Sequence, residues 1–447
     1  MARASKAAGL AIWMNGERVG LWREAGSQSP TLEYDAQWLT SPHARPLSLS
    51  LPFTPGNRPH RGTAVSAYFD NLLPDSPAIR QRLAARYGAA STRAFALLRE
   101  IGRDCVGAVQ LMPEDQPPPD VHRIAGVPLS TSDIAGTLAG VVRATGPARD
   151  DHEFRISIAG AQEKTALLWH DDQWQRPVGT TPSTHIFKLP LGRIGTIGVD
   201  LSGSVENEWL CAQLLHAYGL PVAECDIGRF DDHKALVVKR FDRSLSEDGR
   251  WWVRIPQEDL CQALAVEPWR KYEADGGPGM RDILGVLDNS TRRDSDRVDF
   301  FRAQLLFWML AATDGHAKNF SLFIGRGGTY RMTPLYDVIS AWPVTGKAAG
   351  QLSWRKLKLA MALRAGNAHY HLAEIQRRHW NAVARRLGLG MDFEPHIQAL
   401  IEHTPCAIAQ VAAALPANFP AAVAEPVFHG LQRMADLLER MPAQPGH

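Results

Sequence analysis

The chain has 447 residues, with 49 Lys and Arg against 47 Asp and Glu, a net charge of +2 and 45% hydrophobic residues. That length exceeds one compact core and calls for two or three lobes, and the near-balanced charge neither requires nor excludes a nucleic-acid partner. Five scattered cysteines with no C-x-x-C pair argue against a disulfide framework or a zinc site, the chain has no apolar run of bilayer length and no signal-peptide core, and a cytoplasmic setting is expected.

The first segment reads as β-rich. Leu10–Met14, the turn Asn15-Gly16 and Glu17–Trp22 predict a hairpin, because both turn positions tolerate positive φ. Leu47, Leu49 and Leu51 alternate with serines and predict a half-buried strand. Tyr68–Pro74 is expected to join strand to helix. Asp75-Ser76-Pro77 is a helix start, with a capping side chain and Pro in the first turn; Ser91 can cap a second helix carrying Phe95, Leu97 and Leu98. Pro117-Pro118-Pro119 then marks a boundary, since successive prolines continue neither a helix nor a central strand. Pro147–Glu153 is a second polar connection.

The middle segment predicts a small sheet with one helix against it. Phe154–Trp169 reads as strand, small-residue loop and strand. Thr184–Pro190 is a short strand whose Lys188 faces away from Phe187. Val205–Leu215 has helical spacing, and Ala235–Asp242 is a buried strand that turns polar abruptly. Beyond Pro256 the pattern is helical almost throughout, over 257–265, 280–287, 296–313, 372–387, 394–402, 406–414 and 421–441. A hairpin through Gly327-Gly328 interrupts it. The expected organisation is an N-terminal β/α subdomain over residues 1–115, a β-rich lobe over 150–255 and a helical lobe over 256–447. A cleft between a β lobe and a helical lobe is where a ligand would lie.

Phosphoryl transfer needs a loop over the phosphates, a cation to hold them, a carboxylate for the attacking hydroxyl and oxygen ligands for magnesium. The loop candidate is Ser157–Lys164, whose Ala159, Gly160 and Ala161 allow close backbone approach to phosphate. The cation candidate is Lys188, and Glu206 or Glu208 on the following helix could pair with it. Asp314 and Asn319 stand at D-x-x-x-x-N spacing after an apolar helix, and Asp337 follows the hairpin. Asp314 would take the hydroxyl proton, and Asn319 and Asp337 would hold magnesium. Each signal has a bland alternative: a turn, a solvated strand lysine, a helix end. Their joint order makes chance unlikely to account for them.

These motifs resemble those of the HipA family, the serine/threonine kinases of bacterial type II toxin–antitoxin pairs. The resemblance rests on SIAGAQEK at 157–164, THIFK at 184–188, ATDGHAKNF at 312–320, LYDVIS at 335–340 and YFDNLLPDS at 68–76, so it spans nearly the whole chain. Tyr336-Asp337-Val338 stands where other kinases have Asp-Phe-Gly. The resemblance implies an α+β, protein-kinase-like two-lobed fold, with a small β-rich N-terminal part, an extra β/α subdomain and a large all-α C-terminal lobe. It implies ATP contacts from Ala159, Gly160, Ala161, Gln162, Glu163 and Lys164, from Lys188, and from the hinge Lys239, Arg240 and Phe241. It adds His316, Ala317, Lys318 and Asn319, then Tyr336, Asp337, Val338 and Ile339. It makes Asp314 the catalytic residue and Ser157 an autophosphorylation site, whose added charge would repel the ATP phosphates and expel the loop.

The partner so implied is a small, dimerising helix-turn-helix antitoxin (HipB-like) that binds operator DNA. The protein substrate so implied is an aminoacyl-tRNA synthetase, with glutamyl-tRNA synthetase leading. Arg377, Arg378, Arg385 and Arg386 form a basic cluster at helical spacing, of which Arg385 and Arg386 are the candidates for operator phosphate contact; a solvated helix face explains them equally well. Two other readings stand beside the kinase. One is a catalytically silent, DNA-bound corepressor that keeps the fold as a scaffold. The other is a metal-dependent hydrolase built on Asp314, His316 and Asp337, which leaves Lys188 and the loop unexplained.

Overall fold

The computed structural model describes residues 9–24, 29–142, 157, 162–195 and 197–443. Ala159, Gly160, Ala161, the connection Pro147–Glu153 and the expected strand ahead of Ser157 lie outside them.

The N-terminal part is an antiparallel sheet in the order His60–Arg61, Thr31–Tyr34, Glu17–Arg23, Gly9–Met14, Val109–Pro113. Its central hairpin turns at Asn15 (φ 48°) and Gly16 (φ 86°), as the Asn-Gly pair requires. Alternation sends Leu10, Ile12, Trp22 and Leu32 to one face, where they bury against helices Thr63–Asp70 and Ala94–Ile101. Trp22 stacks on Phe69 at 3.9 Å. Ser76 caps helix Pro77–Tyr87 by accepting from the Ile79 N–H. Tyr68 and Phe69 therefore lie in a helix, not in a connection. Leu47–Leu51 forms no strand either. Its serine hydroxyls donate to the Gln262 carbonyl, and Leu49 N–H donates to Glu258, so long-range partners replace a ladder.

The second sheet is antiparallel in the order Cys225–Phe230, His233–Lys239, His185–Lys188, Lys164–His170, Gln173–Pro177, Gly126–Pro128. Phe187, Leu167 and Val237 pack under the helix Thr131–Val142. The two-residue period turns Lys188 to the opposite face, towards helix Ser204–Ala217.

A buried charge cluster joins this sheet to the N-terminal part. The Asp104 carboxylate lies 2.9 Å from Arg243, 3.4 Å from Arg240 and 3.7 Å from Arg254, and it accepts from Ser183 Oγ at 2.6 Å. Asp242 pairs with Arg240 at 2.8 Å and accepts from the Gly107 N–H at 2.7 Å.

Helix Arg293–Met309 runs through the C-terminal core and buries Phe300, Phe301, Leu305, Leu306 and Trp308. Helices Met280–Leu287, Glu394–Ala413 and Ala421–Arg440 belong to the same lobe and bury residues in the same core. This lobe carries more β structure than the sequence pattern suggests. Gln257–Asp259, expected as helix, pairs with Ser321–Ile324, and Lys358–Arg364 pairs with Ala368–His371. Short apolar runs do not distinguish strand from buried helix. The expected break near Pro405 is absent, because Ile401, Thr404, Ala407 and Val411 bury one continuous helical face across it. No helix among the described residues is long and apolar enough to cross a membrane.

Candidate active site

A cleft opens between the second sheet and the C-terminal lobe, with one wall from the N-terminal part. Lys164, Lys188 and Val238 line it from the sheet, and Phe241 from the turn that follows it. Asp314, His316, Asn319 and Asp337 line it from the helical lobe, and Asn71, Leu72 and Asp75 close the third side.

Lys188 organises the inner end. Its ammonium donates to Glu208 at 2.5 Å and to Asp337 at 2.9 Å. Burial opposes its charge, yet the two carboxylates hold its pKa above the ordinary lysine value. Asp337 sits at φ 62°, a conformation costly for a side chain with a Cβ. Burial would raise its pKa, but Lys188 and Lys164 hold it well below the usual carboxylate range. Lys164 stands in register with Lys188 on the neighbouring strand. Burial and that second ammonium push its pKa down to about 8. Glu206 points elsewhere, to Lys234 at 2.5 Å.

The loop 311–319 presents the base candidate. Ala311 leaves the helix at φ 49°, and Gly315 passes so close to Phe307 that a Cβ would fall 2.5 Å from the ring. That close packing fixes the loop beneath Asp314, whose side chain is 61% exposed at the cleft mouth. Although its side chain keeps solvent contact, the protein packed around the carboxylate raises the Asp314 pKa; the Tyr272 hydroxyl opposes that shift, and Asp337 and Asp75 add to it. Asn319 donates its amide to the Asp314 carbonyl at 2.8 Å and to the Asp337 carbonyl at 3.4 Å, tying the two loops together. Its amide orientation is thereby set, with the oxygen as the group left for a cation. His316 is buried and held neutral, with burial pushing its pKa down to about 3. Its Nδ1 has no partner among the described residues.

The remaining sequence candidates divide. Gln162, Lys239, Phe241, Tyr336 and Ile339 line the cleft. Tyr336 donates to the Lys318 carbonyl at 2.8 Å. Glu163 turns away to pair with Arg82. Arg240 lines the cleft, but its guanidinium is spent on Asp242, Ser183 and the Cys105 carbonyl. Ala317 and Val338, expected beside the nucleotide, are buried in the C-terminal core. Ser157 is fully buried; its hydroxyl donates to the Leu72 carbonyl at 2.8 Å and its N–H to the Asp104 carbonyl at 3.1 Å. On helix Arg377–Arg386, Arg385 and Arg386 are exposed, whereas Arg377 is buried against Glu394 and is removed from the basic surface.

Sequence reasoning missed the wall supplied by the N-terminal part. Asp75 bridges Lys271 at 2.8 Å and Lys318 at 2.6 Å, and the two ammonium groups hold its pKa at about 2 despite burial. Tyr272, beside Lys271, donates its hydroxyl to Asp314. The available signal was that Ser76 alone suffices as the helix cap, which leaves Asp75 without a local task.

The arrangement suits a nucleotide. Paired lysines crowd one end of the cleft, the neutral His316 lines it, and an amide and a carboxylate lie near one another beside a base candidate. The hydrolase reading loses ground, since the described residues contain no cluster of three His, Cys, Asp or Glu able to hold a metal.

Comparison with known proteins finds relatives along most of the chain. Residues 10–112 match the HipA N-terminal domain and residues 156–412 match the HipA-like C-terminal domain. A Sinorhizobium fredii protein named "Putative kinase Y4mE" is 33% identical over 90% of this chain and 91% of its own length. The "Serine/threonine-protein kinase toxin HipA" of Shewanella oneidensis is 27% identical over 71% of each chain. A solved structure of a Shewanella oneidensis complex of HipA, HipB and operator DNA superposes with a TM-score of 0.77, at 24% identity and 96% coverage of both chains.

Proposed function

The chain belongs to the HipA family of serine/threonine kinases, and from that premise we propose that it is the growth-inhibiting toxin of a toxin–antitoxin pair, working with ATP and magnesium. Bound ATP supplies the phosphoryl group, and magnesium neutralises the phosphate charge. Lys188, held by Glu208, and Lys164 beside it offer the cations for the phosphates. Asn319 and Asp337 offer the metal ligands. Asp314, exposed at the mouth, accepts the proton of the attacking hydroxyl.

The observation that carries this reading is the Lys188, Glu208 and Asp337 cluster, bonded through Asn319 to the loop that bears Asp314. The geometry around Ser157 supports autophosphorylation as an off-switch. Its docked hydroxyl is a donor to a carbonyl, a role that a phosphoserine cannot fill. A helix-turn-helix antitoxin and operator DNA are the expected partners, on the strength of the Shewanella complex, with Arg385 and Arg386 available for phosphate. An aminoacyl-tRNA synthetase, with glutamyl-tRNA synthetase leading, is the proposed substrate.

The test is incubation of the purified chain with labelled ATP and magnesium, followed by phosphopeptide mapping. Label on Ser157 that vanishes in Asp314→Gln is the expected result. A folded, ATP-binding wild type that incorporates none overturns the assignment.

A further inference from the structure

Asp314 does not stand alone in its loop. The Tyr272 hydroxyl donates to its Oδ1, while Oδ2 has no hydrogen-bond partner among the described residues. Burial and the adjacent carboxylate raise the phenol's pKa, so Tyr272 remains a proton donor. Its ring meets the buried His316 ring edge-on at 4.9 Å, so the next residue but one after Asp314 also braces the tyrosine.

The segment that carries Tyr272 is pinned on both sides. Lys271 is tied to Asp75 at 2.8 Å, and its ammonium lies 5.5 Å from the Tyr272 ring centre. Glu273 accepts from the Ala362 N–H and from Arg364 Nε, each at 2.6 Å. The Tyr272 carbonyl accepts from the N–H groups of Asp275 and Gly277, at 3.1 and 2.9 Å. A Cβ on Gly277 would fall 1.9 Å from the Arg270 carbonyl oxygen, so the turn admits only glycine there. Such anchoring suits a fixed strut and not a gate that must swing aside.

We propose that Tyr272 is a positioning residue for phosphoryl transfer: it holds one oxygen of the Asp314 carboxylate so that the other faces the acceptor hydroxyl. Asp314 is otherwise an exposed side chain with free rotation about its Cβ. A carboxylate fixed before the acceptor arrives loses less entropy on reaching the reacting geometry. The strut is rooted in Asp75, so the N-terminal part contributes to the orientation of the base as well as to the wall of the cleft. This role rests on the reading of Asp314 as the base.

The test compares wild type, Asp314→Asn and Tyr272→Phe as full-length, phosphatase-treated chains, reading label transfer from ATP and magnesium to Ser157. Tyr272→Phe keeps the ring and loses only the hydroxyl. The expected result is a rate at saturating ATP reduced about tenfold or more, with the half-saturating ATP concentration within about twofold and an unchanged melting temperature. A wild-type or faster rate in Tyr272→Phe, with Asp314→Asn inactive, overturns the positioning role alone; a faster rate would mean that the hydroxyl blocks the acceptor. A lowered melting temperature with rate and ATP dependence both shifted reduces Tyr272 to a packing residue and also overturns it. Label transfer undiminished in Asp314→Asn, or absent from the wild type, overturns the assignment of the base and this role with it.

Discussion

Lys188 Nζ lies 2.9 Å from Asp337 Oδ1, a pair made by residues 149 positions apart. It joins the sheet to the helical lobe across the cleft, and Glu208 shares the same ammonium. Replacing Lys188 with Met strands the buried carboxylate of Glu208, and leaves the partly exposed Asp337 with only Lys164 nearby. The expected cost is about 3–5 kcal/mol, as for other broken buried pairs. The double variant Lys188→Met/Glu208→Leu should regain much of that stability while remaining unable to transfer phosphate. Urea unfolding and label transfer, measured on both variants, separate the two roles. A single variant as stable as wild type would contradict the buried-pair account.

Glu258 should make stability fall with pH. It is fully buried, with one oxygen accepting the Leu49 N–H and the other unpartnered. Burial raises its pKa from 4.5 to about 8. Below the ordinary glutamate value it is protonated in both folded and unfolded chains, and its contribution is fully present. As pH rises from there to about 8, the unfolded chain loses the proton first and that contribution is lost. Glu258→Gln keeps the acceptor and removes the titration. Relative to wild type it should gain on the order of a few kcal/mol between pH 5 and 8. Urea midpoints at the two pH values check this, and parallel losses in both proteins would refute it.

Local chemistry explains which parts of this molecule could be read from its sequence. The Asn15-Gly16 hairpin, the Ser76 cap and helix Met280–Leu287 are each specified within a few residues. The Asp314 and Asn319 spacing is similarly contained in one loop. The third wall of the cleft is not. Asp75 meets Lys271 and Lys318 across 196 and 243 residues, and in sequence it resembles any polar residue before a helix. The serines between Leu47 and Leu51 looked like the outward face of a strand, yet their bonds reach Gln262, more than two hundred residues on. The family resemblance puts Arg240 at the hinge, but its guanidinium follows Asp104 and Asp242 into the interior. Side-chain direction depends on partners that no local pattern displays.

Asp104 is the keystone of the joint between the N-terminal part and the sheet. Burial would raise its pKa, but Arg240, Arg243 and Arg254 hold it well below the usual carboxylate range. Asp104→Asn would leave those guanidinium groups short of one negative charge in a dry interior. A loss of about 3–5 kcal/mol is expected, with preferential proteolysis between the N-terminal part and the second sheet. Limited proteolysis followed by mass mapping checks it. Cleavage confined to other connections would mean that hydrophobic packing alone holds the joint.

Ser157 should be far less tolerant of charge than of truncation. Its hydroxyl donates to the Leu72 carbonyl and its N–H to the Asp104 carbonyl, so the N-terminal part grips it from two sides. Ser157→Ala removes one hydrogen bond and leaves the N–H contact, a loss of about 0.5–1.5 kcal/mol. Ser157→Asp replaces a donor with a buried anion facing a carbonyl oxygen, with no hydrogen to offer. Docking in that variant should fail, taking Gln162 and Lys164 away from the cleft. ATP affinity should then fall at least tenfold in Ser157→Asp and stay within about threefold of wild type in Ser157→Ala. Isothermal titration with ATP and magnesium measures both, and equal affinities would show that the docked serine does not govern the nucleotide site.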